Sequence, residues 1–155
     1  MSVGPEDYCL SLGVEPPDEG SELFYAVSQV VTICKTVKIR PHGLLGSVAG
    51  FRDLGGFERA ARRGRQLGTE GAGCIHPDQV PILHKVFSPV PESVQYARRA
   101  AQACEEGEAR GTSSANLDGK MVDIPVYFRA KLILERAEAI DAVEHRKAEA
   151  LARNS

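Results

Sequence analysis

The chain has 155 residues, 43% apolar and 26% charged, which are the proportions of an ordinary folded domain and exclude a disordered tract. Nineteen Lys and Arg stand against twenty-one Asp and Glu, so the net charge of -2 supplies no field to gather nucleic acid or an anionic membrane surface. Apolar runs such as Val30 to Cys34 stop well short of the roughly 20 residues a membrane span needs.

The chain opens on Gly4-Pro5-Glu6-Asp7, turn chemistry with at most a stub of strand before it, as if a longer pattern had been cut. Met1 to Asp7 has neither the basic start nor the apolar run of a secretory signal, so a cytoplasmic location is expected. After a Gly- and Pro-rich loop over 11–20, Ser21 is expected to cap a helix over 21–36 with Leu23, Val27, Val30, Val31 and Cys34 on its buried face. Residues 37–41 read as a short strand. Asp53 then caps a helix to Leu67 whose stripe is Phe57, Ala60, Ala61 and Leu67, and Gly68 ends it. Residues 72–75 read as a second strand, delivering His76-Pro77 into a loop before a short helix from Asp78. Strand and helix in alternation indicate the α/β class.

Pro91 starts a long helix with Val94, Ala97, Ala101 and Cys104 on one face, ending near Gly107 or Gly111. Asp118-Gly119 is a turn signal between apolar flanks, and Asp123 before Ile124-Pro125 starts a last helix, apolar along Ala130, Ile133, Leu134, Ala137 and Ile140 and solvated beyond Asp141. Cys9, Cys34, Cys74 and Cys104 lack any metal-site spacing and are expected to be reduced core residues. Arg59, Arg62, Arg63 and Arg65, flanked by Glu58 and Glu70, read as a solvated face.

Three segments in fixed order carry a resemblance: Gly-Pro-Glu-Asp at 4–7, Cys-Ile-His-Pro-Asp-Gln at 74–79, and Leu-Asp-Gly-Lys-Met-Val-Asp-Ile-Pro at 117–125. With Gly-Leu-Leu-Gly-Ser-Val-Ala-Gly-Phe-Arg-Asp at 43–53 and Val-Phe-Ser-Pro at 86–89, the chain resembles the citrate lyase beta-subunit and malyl-CoA lyase family of the HpcH/HpaI aldolase superfamily. The likeness runs from residue 4 to about residue 137. The resemblance implies a TIM barrel of which this chain holds only a part, from the end of strand six through strand eight with its helices, followed by a C-terminal helical lid. Residues 1–111 would then be the barrel portion and 112–155 the lid and oligomerisation segment.

The implied chemistry is a reversible, Mg²⁺-dependent carbon-carbon cleavage of a 3-hydroxyacyl-CoA into an acyl-CoA and a 2-oxo acid, with coenzyme A as part of the substrate. By the same resemblance Asp7 is a metal ligand, Asp123 the lid acid that manages the substrate proton, and Gly73 and Cys74 backbone positions facing acyl-CoA. Each residue also has a plainer reading: Asp7 as a turn former, Asp123 as a helix cap, His76 as a structural brace and Asp118 as a turn residue. The family's other metal carboxylate and its carboxylate-binding Arg fall on earlier strands, so the chain alone is expected to be inactive. The implied partners are acyl-CoA and 2-oxo acid substrates, with either further copies of the chain, a trimer by family, or a complementing N-terminal chain. The alternative to a lyase is a truncated non-catalytic remnant or one half of a split enzyme. An aldolase that does not use CoA is disfavoured by the lid motif.

Overall fold

The computed structural model describes residues 1–15 and 19–153, arranged in two compact units, 1–87 and 88 onward. Pro16, Pro17 and Asp18 of the 11–20 loop lie outside the described residues.

The first unit contains α1 (Pro5–Leu12), α2 (Leu23–Thr36), α3 (Leu54–Leu67) and α4 (Gln79–Phe87). Helix α3 forms as its residues dictate. Asp53 Oδ1 accepts the Gly56 amide at 2.8 Å, Phe57, Ala60 and Ala61 are buried, and Gly68 closes the helix in the left-handed region at φ 107°. Phe57 and Ala60 pack with Leu44, while Ala61 packs with Val86 and Phe87 of α4. A second cluster joins Leu23 and Val27 of α2 to Leu45, with Val3 and Tyr8 against it. Gly64 lets α3 lie on the backbone beside it, because a Cβ there would stand 2.6 Å from the Gly43 carbonyl oxygen.

Three expectations of secondary structure change in this unit. Pro5–Leu12 forms a helix where a turn at 4–7 and a loop from residue 11 were expected. Ser21 does not cap α2: Glu22 precedes the helix in helical geometry, and the amides of Leu23 and Phe24 are taken by the carbonyls of Gly20 and Ser21. A backbone turn thus satisfies the orphan donors that a side chain was expected to meet. The strands expected at 37–41 and 72–76 do not form as regular strands. Lys38 adopts φ 56° and closes α2, with the Ile39 amide bonded to the Cys34 carbonyl, so the extended run starts late. Pro41 has no N–H for a ladder. What remains is short extended pairing: Met1 beside 40–42, and 41–43 beside 70–71.

The second unit contains α5 (Pro91–Ala109), β1 (Ala115–Leu117), β2 (Lys120–Val122) and α6 (Ile124–Arg153). The strands form an antiparallel hairpin in which Leu117 faces Lys120 across Asp118-Gly119, both at positive φ as a two-residue turn of this kind requires. Ala97, Ala100 and Ala101 of α5, Val122 and Ala130 form one buried cluster, so α5 shares its core with the hairpin and α6. From residue 141 to 153 every position of α6 is exposed, as its composition dictates. No described helix is long and apolar enough to cross a membrane.

Candidate functional site

The short pairings set the site's frame. Met1 N donates to the Arg40 carbonyl at 3.2 Å, and the His42 amide to the Met1 carbonyl at 2.8 Å. The Glu70 amide reaches the Pro41 carbonyl and the Gly43 amide the Gly71 carbonyl, both at 2.9 Å. Residues 41 and 43 meet 70 and 71 in rising order, and Met1 bonds to the residues on either side of Pro41 as a parallel partner does, so the three segments run parallel and the chain leaves all three at the same end. The start of α1 at 4–7 and the loops over 44–53 and 73–78 therefore emerge as neighbours. Side chains tie them together: Ser47 Oγ donates to Glu6 Oε1, and the Phe51 ring stacks on His76 with centroids 5.3 Å apart and planes 19° from parallel.

Pro5 stands in the first turn of α1 beside Glu6 and Asp7, where the unpaired helix amides favour negative charge. The Asp7 carboxylate folds back over Gly4, is exposed, and accepts no hydrogen bond from a described residue. In the 44–53 loop Ser47 Oγ accepts the Ala49 amide at 2.9 Å while holding Glu6. In the 73–78 loop Gly73 and Cys74 are exposed, open space lies where a Gly73 Cβ would be, and neither amide is bonded to a described residue. Cys74 is thus corrected from core residue to surface residue; Cys9 and Cys34 are buried and Cys104 partly so, all four free.

His76 takes the structural part expected of it. Its Nδ1 accepts the Asp78 amide at 3.2 Å and lies 3.5 Å from the Asp78 carboxylate, and its ring lies on Phe51. Gln79 holds the same turn from below, Oε1 accepting the amides of Ile75 at 2.9 Å and His76 at 3.2 Å. Ser47, Phe51 and Gln79 had no role in the sequence reading. The only hints were the place of Ser47 and Phe51 in the 43–53 run and of Gln79 at the end of the Cys-Ile-His-Pro-Asp-Gln run.

Asp123 belongs to the second unit. Its Oδ1 accepts the Val126 amide at 3.3 Å and its carbonyl the Tyr127 amide at 2.9 Å, so it caps α6, and its side chain is half-buried. The Cys104 thiol points at the Asp123 carbonyl, and burial, then the Asp123 and Glu105 charges, push its pKa up. Asp118 is the turn residue expected of it and pairs with Arg99 at 2.5 Å. The Arg run is only partly a solvated face: Arg63 is half-buried and donates to the Leu45 carbonyl at 3.4 Å. Arg62 pairs with Glu58 at 2.5 Å and Lys85 with Glu58 at 3.1 Å. The Arg62 hydrogen bond, then that of Lys85, hold the Glu58 carboxyl below its ordinary pKa. Among the described residues no three His, Cys, Asp or Glu side chains converge as a metal cluster.

Residues 1–77 match the HpcH/HpaI aldolase/citrate lyase family. Over 139 residues, 90% of this chain and 47% of the relative, it is 35% identical to the citrate lyase subunit beta of Haemophilus influenzae. It is 33% identical to the L-malyl-CoA/beta-methylmalyl-CoA lyase of Cereibacter sphaeroides over 92% of the chain and 49% of that enzyme. The fold is similar to that of CitE from Mycobacterium tuberculosis, solved with magnesium, acetoacetate and coenzyme A, with a TM-score of 0.70, 24% identity, and 89% of this chain matched to 51% of that one. Through residues 1–77 the chain belongs to the HpcH/HpaI aldolase/citrate lyase family. Within it, the chain is a relative of citrate lyase beta subunits and malyl-CoA lyases, and it spans about half the length of the curated relatives it matches.

Proposed function

We propose that this chain supplies part of the site of a Mg²⁺-dependent CoA-ester lyase, a partial TIM barrel over 1–111 followed by a lid over 112–155. The reaction is cleavage of a 3-hydroxyacyl-CoA into an acyl-CoA and a 2-oxo acid, or its reverse. The convergence of residues 4–7, 44–53 and 73–78 at one end of parallel extended segments carries this reading, because such an end is where barrel enzymes gather their ligands. The free Gly73 and Cys74 amides offer hydrogen-bond donors to an acyl-CoA carbonyl, and the bare Gly73 surface permits close approach.

Asp7 fits a magnesium ion as one member of a donor set: an exposed carboxylate with no competing hydrogen bond is the hard oxygen ligand Mg²⁺ takes. Glu6 is a poorer donor, since Ser47 already holds one of its oxygens. A magnesium ion held there would supply Lewis-acid polarisation of the 2-oxo acid carbonyl. Asp123 moves the proton at the acyl-CoA α-carbon: its Oδ1 is engaged by the Val126 amide, which fixes the carboxylate's orientation and leaves the second oxygen for that work.

A second reading, a non-catalytic remnant or one half of a split lyase, is favoured by Asp7 standing without a cluster of further acidic ligands among the described residues. The neighbouring reading frame separates the two: a split enzyme requires it to encode the remaining carboxylate and the substrate-binding Arg. The proposal also expects a cytoplasmic protein that works as a homo-oligomer, of the trimer type, or with a complementing chain.

Titration calorimetry of the chain with coenzyme A tests the reading. Saturable binding that protects the exposed Cys74 thiol from alkylation is expected. Absence of binding, or binding with no protection of Cys74, would contradict the assignment of this face.

A further inference from the structure

Gln79, the first residue of α4, is fully buried, and its amide is only half used. Oε1 accepts two successive backbone amides, those of Ile75 and His76, and the Gln79 backbone N–H donates to the His76 carbonyl at 3.1 Å. Nε2 is buried with no hydrogen-bond partner among the described residues. An unpaired NH₂ in the interior opposes folding, so packing alone would favour an apolar residue here. The oxygen is what the position uses.

The two amides that Gln79 holds follow directly on Gly73 and Cys74, exposed residues whose N–H groups are bonded to no described residue. Tying 75 and 76 to a buried side chain keeps the turn from winding back and satisfying those two donors within the protein. His76, pinned at Nδ1 by Asp78 and stacked on Phe51, braces the other side of the same turn. We infer that Gln79 is a positioning residue that keeps the Gly73–Cys74 backbone open for a ligand, and, resting on the acyl-CoA reading above, that it sets coenzyme A affinity without touching the ligand. Preorganised donors bind more tightly because their ordering precedes association.

Two near-isosteric variants of the full chain separate this role from general packing. Gln79→Met removes the acceptor and the orphaned NH₂ together. Gln79→Glu keeps an acceptor for both amides but buries a charge. Hydrogen exchange at the Ile75 and His76 amides, coenzyme A affinity and thermal midpoint are measured on each. Gln79→Met is expected to speed exchange at the two amides about tenfold and weaken coenzyme A binding by about tenfold, each the scale of one lost hydrogen bond, with the thermal midpoint little changed. Gln79→Glu is expected to restore slow exchange and binding even though its thermal midpoint falls, an inversion that a packing role would not give. Unchanged exchange or unchanged affinity in Gln79→Met, or a Gln79→Glu variant as defective as Gln79→Met, would overturn the inference. If even the unaltered chain does not bind coenzyme A, the acyl-CoA reading falls, and the exchange rates alone decide whether Gln79 holds this backbone open.

Discussion

Asp123 caps α6, and in the proposed lyase the same residue would also move the substrate proton. Its Oδ1 caps α6 through the Val126 amide, and Asn caps a helix about as well as Asp. Asp123→Asn should therefore leave the denaturation midpoint nearly unchanged, whereas Asp123→Ala should cost about 1 kcal/mol. In an assembled lyase both should lower turnover by about 100-fold or more, the loss expected for a general acid or base. An Asn variant with full turnover would return Asp123 to a purely structural role. Glu58 gives a pH signature that no catalytic group complicates. Its partners hold its pKa below the ordinary 4.5, so its contribution to stability is complete above that value and disappears as the pH falls through the folded-state value. Urea midpoints of the unaltered chain and Glu58→Gln should differ at neutral pH and converge in acid. A constant gap would show that Arg62 and Lys85 do not act on Glu58 as a charge.

At the scale of elements, two substitutions test the packing account. Gly64→Ala places a methyl 2.6 Å from the Gly43 carbonyl oxygen and should cost about 1–3 kcal/mol in denaturant unfolding, because backbone cannot yield as a flexible side chain does. Val90 precedes α5 with extended backbone, no side-chain cap and nearly half its surface exposed, so Val90→Ser should add about 1 kcal/mol. The elements legible in the sequence were those whose signals are local. Asp53, the Phe57-Ala60-Ala61 stripe and Gly68 outline α3 within one segment, and Asp118-Gly119 fixes the hairpin register in two residues. The rest depends on residues far apart. Whether 39–43 becomes a strand is decided by Lys38 entering the left-handed region and by partners at Met1 and Glu70, which no window around Pro41 contains. Cys74 reads as a core residue by type but lies exposed, just before the turn whose amides Gln79 accepts. Of the proposed site, Asp7, Gly73, Cys74 and Asp123 were reached through a family resemblance. Ser47, Phe51 and Gln79 became visible only once the loops were brought together.

For the whole molecule, the account rests on a division of labour. In the proposed lyase this chain would contribute Asp7, the Gly73–Cys74 amides and Asp123, and further oxygen ligands would have to come from another source to hold Mg²⁺ tightly, since an ion with one protein carboxylate keeps most of its water. Mg²⁺ should bind the chain alone weakly, and Asp7→Asn should remove what binding there is. The most direct measurement is a lyase assay with malyl-, citramalyl- and citryl-CoA in the presence of Mg²⁺, run on the chain alone and again on its complex with the amino-terminal half of a citrate lyase beta subunit. The account predicts negligible turnover alone and Mg²⁺-dependent cleavage of at least one thioester in the complex, abolished by Asp7→Asn. Turnover on the order of 1 to 1,000 per second by the chain alone, or none from a complex shown to have formed, would contradict it.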